Sequence, residues 1–448
     1  MKRVVSGLVA ALLSLFFLSA CIEKNDLLGS ALVPTNQDIS IKTATFDLPV
    51  DLRMADSLQC AVSQSITVGS LRTDSFGRFR SEAAMTVTAG TDTVEWGLNP
   101  SVRHIYISFV RDTTLFMDDS QEYIPQNLHL YYLNTKLDST YRYNNSLSFA
   151  DCDPTPIADP VPYTGESAYS VDLDPSFGER FFRIPISSIY DDDLMMEAFH
   201  GLYMTCDDPE DPLEGGRLNA FDLSSSVLYL EYDYDDGLGN RKSKTASFQL
   251  GEYYSLNVCS SESGKLVTDD PASAIYMEGL CGIKPHIPAA ELRSTIAKWA
   301  AANEIPLDRL IVAKATIEFP FEYYGDPDQF DAWPDNIFPC KRVYTNGILS
   351  YGPIQEISDD TLELGLLDRS FLTFESNVSI YLQGLLRKSP GALTAEDDLW
   401  MMSTVSMINS YTSETSYFSD YFYYQQCILN GTDAERHPIL NLTYTVLQ

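Results

Sequence analysis

From residue 39 onward, hydrophobic and polar residues alternate in many short segments that are rich in tyrosine, phenylalanine, threonine and valine. Such alternation is typical of β-strands with one buried face, because successive side chains of a strand point to opposite sides. Residues 235–240, which are rich in aspartate and glycine, separate two of these segments and predict a hairpin turn. Clear strand segments are 105–110, 128–133, 246–250, 316–321 and 400–407.

Only two segments have the spacing of a helix. In 289–303, Leu292, Ile296 and Trp299 recur at helical intervals, and Pro306 ends the pattern. Residues 194–199 follow three aspartates, which are favourable at a helix N-terminus. Short strands joined by polar turns are typical of antiparallel sandwiches. We therefore predict a mainly β chain with two jelly-roll-like antiparallel β-sandwich domains, 39–265 and 266–448, the second carrying one short helical insertion.

The N-terminus predicts export. Lys2 and Arg3 precede an apolar run over 4–18, which is typical of a signal peptide and too short for a membrane span. The Leu-Ser-Ala-Cys sequence that ends at Cys21 resembles the bacterial lipobox. This resemblance implies cleavage after residue 20 and lipidation of Cys21, with 21–38 as a tether; the alternative is an ordinary signal peptide with an incidental cysteine. We expect a lipid-anchored outer-membrane protein, with the membrane face left open.

The charge and the cysteines limit the partners. A net charge of −33 repels phosphate backbones, so nucleic-acid binding is not expected, and membrane contact is expected through the anchor only. Besides Cys21 the chain has an odd number of cysteines and no C-x-x-C pair, so a zinc site has little support. Disulfides and buried thiols both stay open for Cys60, Cys152, Cys206, Cys259, Cys281, Cys340 and Cys427.

Several short sequence segments that form a recognisable series occur in order along nearly the whole chain after Cys21. They lie at 28–34, 68–71, 74–77, 199–203, 228–234, 275–279 and 380–384. Together they resemble a lipoprotein family of Bacteroidota known as domain of unknown function 4270. The resemblance implies an envelope lipoprotein with β-sandwich architecture, and it brings no catalytic motif with it.

One acidic loop is a candidate metal site. Asp326, Asp328 and Asp331, with Asp335 nearby, alternate in a way that could supply oxygen ligands to calcium. The loop lacks the central glycine and the closing glutamate of an EF-hand, so an ordinary exposed turn is the alternative. Calcium at this loop is the single cofactor that the sequence suggests.

Aromatic residues are the second candidate. Trp333 lies in the same acidic loop, and an aromatic cluster near the C-terminus consists of Tyr421, Phe422, Tyr423 and Tyr424. Exposed aromatic rings can stack on sugars or anchor a protein interface. The alternative is that these rings belong to the core or to cross-strand pairs.

No nucleophile or metalloprotease motif is found in the sequence, and glycoside hydrolysis would need two carboxylates that face each other in a cleft. We therefore predict a non-enzymatic, lipid-anchored outer-membrane lipoprotein that acts through protein–protein association. Its expected partner is an outer-membrane protein, and its role that of an accessory subunit of an outer-membrane β-barrel complex. The alternative is a surface glycan-binding lipoprotein.

Overall fold

The computed structural model of the protein describes residues 40–55, 57–62, 65–90, 93–117, 124–210, 214–358, 364–408, 413, 415–420 and 423–447. The predicted lipidation site Cys21 and the predicted interface residues Tyr421 and Phe422 lie outside these ranges. From Lys42 onward the chain forms one compact unit. Strands account for 49% of the chain and helices for 16%, in several antiparallel sheets, so the predicted mainly β class is confirmed. No helix within the described ranges is long and apolar enough to cross a membrane.

The strands up to residue 261 are numbered in chain order. They are β1 (Lys42–Asp47), β2 (Asp51–Met54), β3 (Ala61–Val62), β4 (Ser65–Thr73), β5 (Gly77–Ala89), β6 (Leu98–Met117), β7 (Gln126–Tyr132), β8 (Val161–Tyr163), β9 (Ala168–Asp172), β10 (Leu202–Cys206), β11 (Gly215–Asp235) and β12 (Arg241–Ser261).

The later strands continue the numbering. They are β13 (Ala274–Glu278), β14 (Ile283–Ile287), β15 (Leu310–Pro320), β16 (Phe338–Thr345), β17 (Ile348–Pro353), β18 (Leu364–Asp368), β19 (Thr373–Asn377), β20 (Leu399–Met402), β21 (Thr404–Ile408), β22 (Thr415–Ser419), β23 (Gln426–Asn430) and β24 (Ile439–Val446).

The strands between residues 61 and 261 build one large sheet. Its hydrogen-bonded order is β3-β12-β11-β4-β5-β10-β7-β8, and β6 joins it by pairing with β11 and β9. β11 and β12 are the two arms of the hairpin predicted from residues 235–240, with Asp235 opposite Arg241 at its end. Alternate residues such as Ile107, Leu228 and Phe248 are buried in the core of this part of the protein.

Two five-stranded sheets build the other part. Their orders are β1-β24-β15-β19-β18 and β17-β16-β20-β14-β2, and β13–β23 and β21–β22 are separate pairs. In the sheet that begins with β1, the side chains of Phe46, Ile317, Phe374 and Leu440 point into a second core. Because side chains alternate along a strand, their neighbours point to the opposite face of the sheet. The candidate site lies on that opposite face.

The first two strands are paired with the end of the chain. β1 pairs along its full length with β24, and β2 pairs with β14. The predicted domain 39–265 places residues 42–54 with the N-terminal strands, whereas their hydrogen bonds join them to the C-terminal half. A third core cluster also contains residues from both sides of residue 265, among them Leu256, Leu280 and Trp400. Pairing between chain ends has no local sequence signal, which explains the misplaced segment.

The α-helices are few and mostly short. They are α1 (Pro175–Gly178), α2 (Ile186–Ile189), α3 (Asp192–Ala198), α4 (Ala289–Ala302) and α5 (Ser379–Arg387). Single turns of 3-10 helix occur at Phe149–Asp151, Phe181–Arg183, Glu262–Leu266, Leu307–Arg309, Pro327–Phe330, Gln355–Ser358 and Pro390–Ala392.

The helix predicted over 289–303 is observed as α4. Leu292 and Ile296 are buried, and the Ala289 N–H donates to the Asp398 carboxylate at 2.8 Å, which satisfies one N-terminal donor. The predicted short helix after the three aspartates is α3, and Asp191 caps it by accepting from the Leu194 N–H at 3.1 Å. α5 is an additional helix that the sequence patterns did not predict.

Candidate functional site

Arg436 lies between two open cavities on the outer side of the β15–β19 region. One cavity has a volume of about 800 Å³ and is lined by residues that include Glu318, Phe371 and Glu375. The other has a volume of about 520 Å³ and is lined by residues that include Tyr324 and Ile428. Arg436 lines both cavities. We call the surface formed by Glu318, Tyr324, Leu366, Phe371, Glu375, Ile428 and Arg436 the Arg436 surface.

A tight loop presents Phe371 on this surface. Asp368 is the last residue of β18, and its carboxylate accepts from the backbone N–H groups of Ser370 at 2.8 Å and Phe371 at 3.0 Å. The Arg436 guanidinium donates to the carbonyl oxygens of Phe371 at 2.7 Å and Leu372 at 3.2 Å. Leu372 has a φ of 54°, a left-handed conformation that a leucine rarely adopts. Hydrogen bonds therefore fix the backbone of the loop while the Phe371 ring stays 74% exposed.

The exposed apolar side chains of the Arg436 surface are large. Tyr324 is 80% exposed, and Leu366 and Ile428 are also exposed. Single exposed apolar residues are common on soluble proteins, but a group of them beside an arginine is typical of an interaction site. Aromatic residues and arginine are the types enriched in protein interfaces. The arrangement can thus bury apolar area against a partner while the guanidinium orients the contact.

Two carboxylates face each other at the floor of the larger cavity. Glu318 of β15 lies directly opposite Glu375 of β19. Burial and the neighbouring charge of Glu375 raise the pKa of Glu318, although the Asn441 side-chain amide donates to its carboxylate at 2.5 Å. Both glutamates line the larger cavity. These oxygens can accept hydrogen bonds from hydroxyl groups or attract a cationic group.

The predicted calcium loop forms a 3-10 turn. The Asp326 carboxylate accepts from the Asp328 N–H at 3.1 Å and caps the 3-10 turn Pro327–Phe330, and Asp331 follows that turn. Within the described ranges, no three His, Cys, Asp or Glu side chains converge on a point that could hold a metal ion. Asp326 thus has a local capping role, and calcium binding at this loop stays a prediction.

The Trp333 ring is partly buried and packs against the second core, so it is not an exposed platform. Its ring contacts Phe321 with centroids 4.8 Å apart, Phe330 at 5.2 Å and Phe374 at 6.2 Å. The Arg369 guanidinium lies over the ring of Phe330, 4.8 Å from its centroid. The exposed apolar groups of the Arg436 surface are supplied by other segments of the chain.

Tyr424, predicted as an interface residue, is a core residue. It is 3% exposed, and its hydroxyl donates to the Glu278 carboxylate at 2.6 Å. The adjacent Tyr423 is 47% exposed. Because alternating residues of an extended segment point in opposite directions, a run of aromatic residues contains both kinds of position. The prediction for Tyr424 was therefore wrong.

The Glu278 carboxylate is the centre of a buried polar network. The hydroxyls of Ser261 and Ser263 donate to its second oxygen at 2.5 and 2.6 Å. Burial raises the pKa of Glu278, and the three hydroxyl donors oppose this effect. The Lys284 ammonium donates to the carbonyl oxygens of Glu278, Leu280 and Gly282, and burial lowers the pKa of Lys284 to about 8. This network holds the turn between β13 and β14 in the core.

Sequence reasoning missed Phe371 and Arg436, which carry the surface. A weak signal exists for Phe371. It is an aromatic residue in the polar turn that begins at Asp368, and it does not belong to an alternating strand pattern. Arg436 has no such signal, because its role depends on carbonyl groups more than sixty residues away in sequence. Comparison with known proteins adds no further lead, since no protein-family model and no curated protein matches this chain.

Proposed function

We propose that this protein is a non-enzymatic, lipid-anchored outer-membrane lipoprotein that acts through protein–protein association at the Arg436 surface. In this proposal, lipid on Cys21 anchors the chain, 21–38 is the tether, and the partner is an outer-membrane protein of a β-barrel complex. The resemblance to the Bacteroidota lipoprotein family supports the location. The observation that carries the proposed activity is the exposed apolar group around Arg436.

The composition of the surface favours a protein partner. Hot spots of protein interfaces are enriched in aromatic residues and arginine, and they fill pockets of the partner or receive its side chains. Phe371 is held by backbone hydrogen bonds, so little conformational entropy of the loop is lost on association. The neighbouring cavity of about 800 Å³ can receive a side chain of the partner.

The test is co-purification of the full lipoprotein from outer membranes in a gentle detergent. We expect the wild-type chain to be recovered with an outer-membrane β-barrel protein. Phe371→Ala and Arg436→Gln are expected to reduce the recovered partner about tenfold or more, as truncation of an interface hot spot does. Leu238→Ala is the matched control, because Leu238 is 85% exposed in the β11–β12 turn. Recovery of the wild-type protein alone contradicts the proposal.

A second candidate function is glycan binding at the same surface, and the Glu318–Glu375 pair favours it. Carboxylates accept hydrogen bonds from sugar hydroxyls, and Phe371 beside the cavity offers an aromatic face. Two carboxyl groups that line one cleft are also what glycoside hydrolysis requires. Hydrolysis therefore belongs in the test of this candidate.

The glycan candidate is tested with the purified protein on a broad polysaccharide panel. Binding that is lost in Glu375→Gln and kept in Glu435→Gln, whose carboxylate lines the neighbouring cavity, would support it. Absence of binding across the panel contradicts it. Release of reducing ends by the wild type, abolished in Glu375→Gln, would make the protein an enzyme and contradict the non-enzymatic proposal.

A further inference from the structure

The larger cavity of the Arg436 surface brings two carboxylates and an exposed aromatic ring together. Glu318 and Glu375 lie directly opposite each other on β15 and β19, and both line the cavity with Phe371. Directly opposed side chains of like charge destabilise a sheet. A cation that entered the cavity would relieve this repulsion, and aromatic rings also attract cations over their faces. The cavity therefore has the chemistry of a site for an organic cation.

The two carboxylates have few partners within the protein. The Asn441 side-chain amide donates to the Glu318 carboxylate at 2.5 Å. Among the residues that the structure describes, no N–H or O–H group donates to the Glu375 carboxylate, and no cation is paired with it. Glu375 is partly exposed and lines the cavity, so its carboxylate is the acceptor that an incoming donor can reach.

The two arginines that line the cavity are engaged elsewhere. The Arg436 guanidinium donates to the carbonyl oxygens of Phe371 and Leu372, and the Arg369 guanidinium lies over the Phe330 ring. Within the described part of the chain, neither arginine forms an ion pair with a glutamate of the cavity. The described residues thus leave the glutamate pair without a paired cation.

The pKa of Glu318 reflects the same imbalance of charge. Burial and the charge of Glu375 raise this pKa, and they outweigh the Asn441 amide and the Arg436 charge, which lower it. Asp368, the third carboxylate of the lining, instead accepts from the backbone N–H groups of its own turn. A cation is therefore expected at the glutamate pair, where it would favour the charged form of Glu318.

We propose that an arginine side chain of the partner protein enters this cavity, pairs its guanidinium with Glu375 and stacks on the Phe371 ring. A guanidinium presents its N–H groups as a planar fork that fits a carboxylate, and its flat face stacks on aromatic rings. A lysine ammonium is a more strongly hydrated point charge without this fork, so it is expected to bind more weakly. The inference rests on the proposed function, since it names the chemistry with which the partner contacts the Arg436 surface.

The test is ligand-observed NMR on the purified full chain with small probes of the partner side chain. Nα-acetyl-arginine methylamide carries the guanidinium, the citrulline analogue keeps its shape without the charge, and the lysine analogue carries an ammonium. We expect the arginine probe to bind about tenfold or more tightly than the citrulline probe, because a hydrogen bond between charged groups is lost in the latter. No binding of the arginine probe, equal binding of the citrulline probe, or tighter binding of the lysine probe overturns the proposal.

Matched variants test whether the probe binds in this cavity. Glu375→Gln is expected to weaken binding of the arginine probe about tenfold or more. It removes one of two opposed like charges, so the sheet is expected to keep its fold. Phe371→Ala is expected to weaken binding about threefold, as loss of an exposed cation–π contact does. Glu435→Gln is the control, because Glu435 lines the smaller cavity. Unchanged binding in Glu375→Gln, or an equal loss in Glu435→Gln, overturns the proposal.

Co-purification with the same variants separates this inference from the proposed function. If Glu375→Gln recovers as much outer-membrane partner as the wild type, the arginine does not bind in the cavity, while association through Phe371 stands. If the wild-type protein is recovered alone although the arginine probe binds in the cavity, the proposed function fails and the cation site stands.

Discussion

Tyr424→Phe is expected to destabilise the folded protein by about 2 kcal/mol. Phenylalanine keeps the ring and its packing against Phe79, whose centroid is 4.5 Å away, so the change removes the hydroxyl alone. That hydroxyl donates to the Glu278 carboxylate at 2.6 Å, and both residues are buried. Leaving a buried hydrogen-bond acceptor without its donor costs about 1–3 kcal/mol, because an acceptor in the core cannot turn to water.

The assay is urea unfolding followed by circular dichroism, with the shift in midpoint converted to a free energy of unfolding. Tyr423→Phe is the matched control, since this neighbouring ring is 47% exposed and the same atom is removed. We expect a change below about 0.5 kcal/mol for this control, as is usual for surface substitutions. Equal stability of Tyr424→Phe and the wild type, or a larger loss in Tyr423→Phe, would refute the assignment of Tyr424 to the core network.

Two further predictions concern buried cations. Burial would lower the pKa of His286, but hydrogen bonds and charges of Asp398 and Asp51 raise it. The stability contributed by the His286 cation is therefore full below its ordinary pKa of about 6.5 and is lost as the pH rises through the raised value. His286→Gln should lose more stability at pH 6 than at pH 9. Lys284→Met should cost about 3 kcal/mol, because three backbone carbonyls lose their donor.

Both predictions are tested by measuring the free energy of unfolding in urea. A difference between His286→Gln and the wild type that does not change with pH contradicts the first. For the second, Lys341→Met is the control, since the Lys341 ammonium contacts Asp397 at 3.4 Å and its side chain is partly exposed. If Lys284→Met is no less stable than Lys341→Met, the Lys284 ammonium does not hold the turn.

Local sequence patterns predicted the elements well. The alternation of apolar residues predicted the mainly β class, the turn at 235–240 predicted the β11–β12 hairpin, and the spacing in 289–303 predicted α4. Each of these signals lies within a short stretch of chain. α5 was not predicted because its segment contains Gly384 and β-branched Ile380, which lower its helix propensity. Its buried face consists of Leu382, Leu385 and Leu386.

The features that the sequence did not predict are those that depend on contacts between residues far apart in the chain. β1 pairs with β24 at the other end of the chain, so the domain boundary could not be placed from local patterns. Tyr423 and Tyr424 are adjacent and chemically alike, yet one is exposed and the other hydrogen-bonded to Glu278. The Arg436 surface likewise forms when the guanidinium reaches the carbonyls of Phe371 and Leu372. Tertiary contacts decide these cases.

The central proposal is that Phe371 and its neighbours contact an outer-membrane protein. The most direct measurement is site-specific photo-crosslinking in intact cells, with a photoreactive phenylalanine derivative at position 371 of the full chain and, as control, at position 238. The proposal predicts an adduct with an outer-membrane β-barrel protein from position 371 and none from position 238. Equal adducts from both positions, or no protein adduct from position 371, would contradict it.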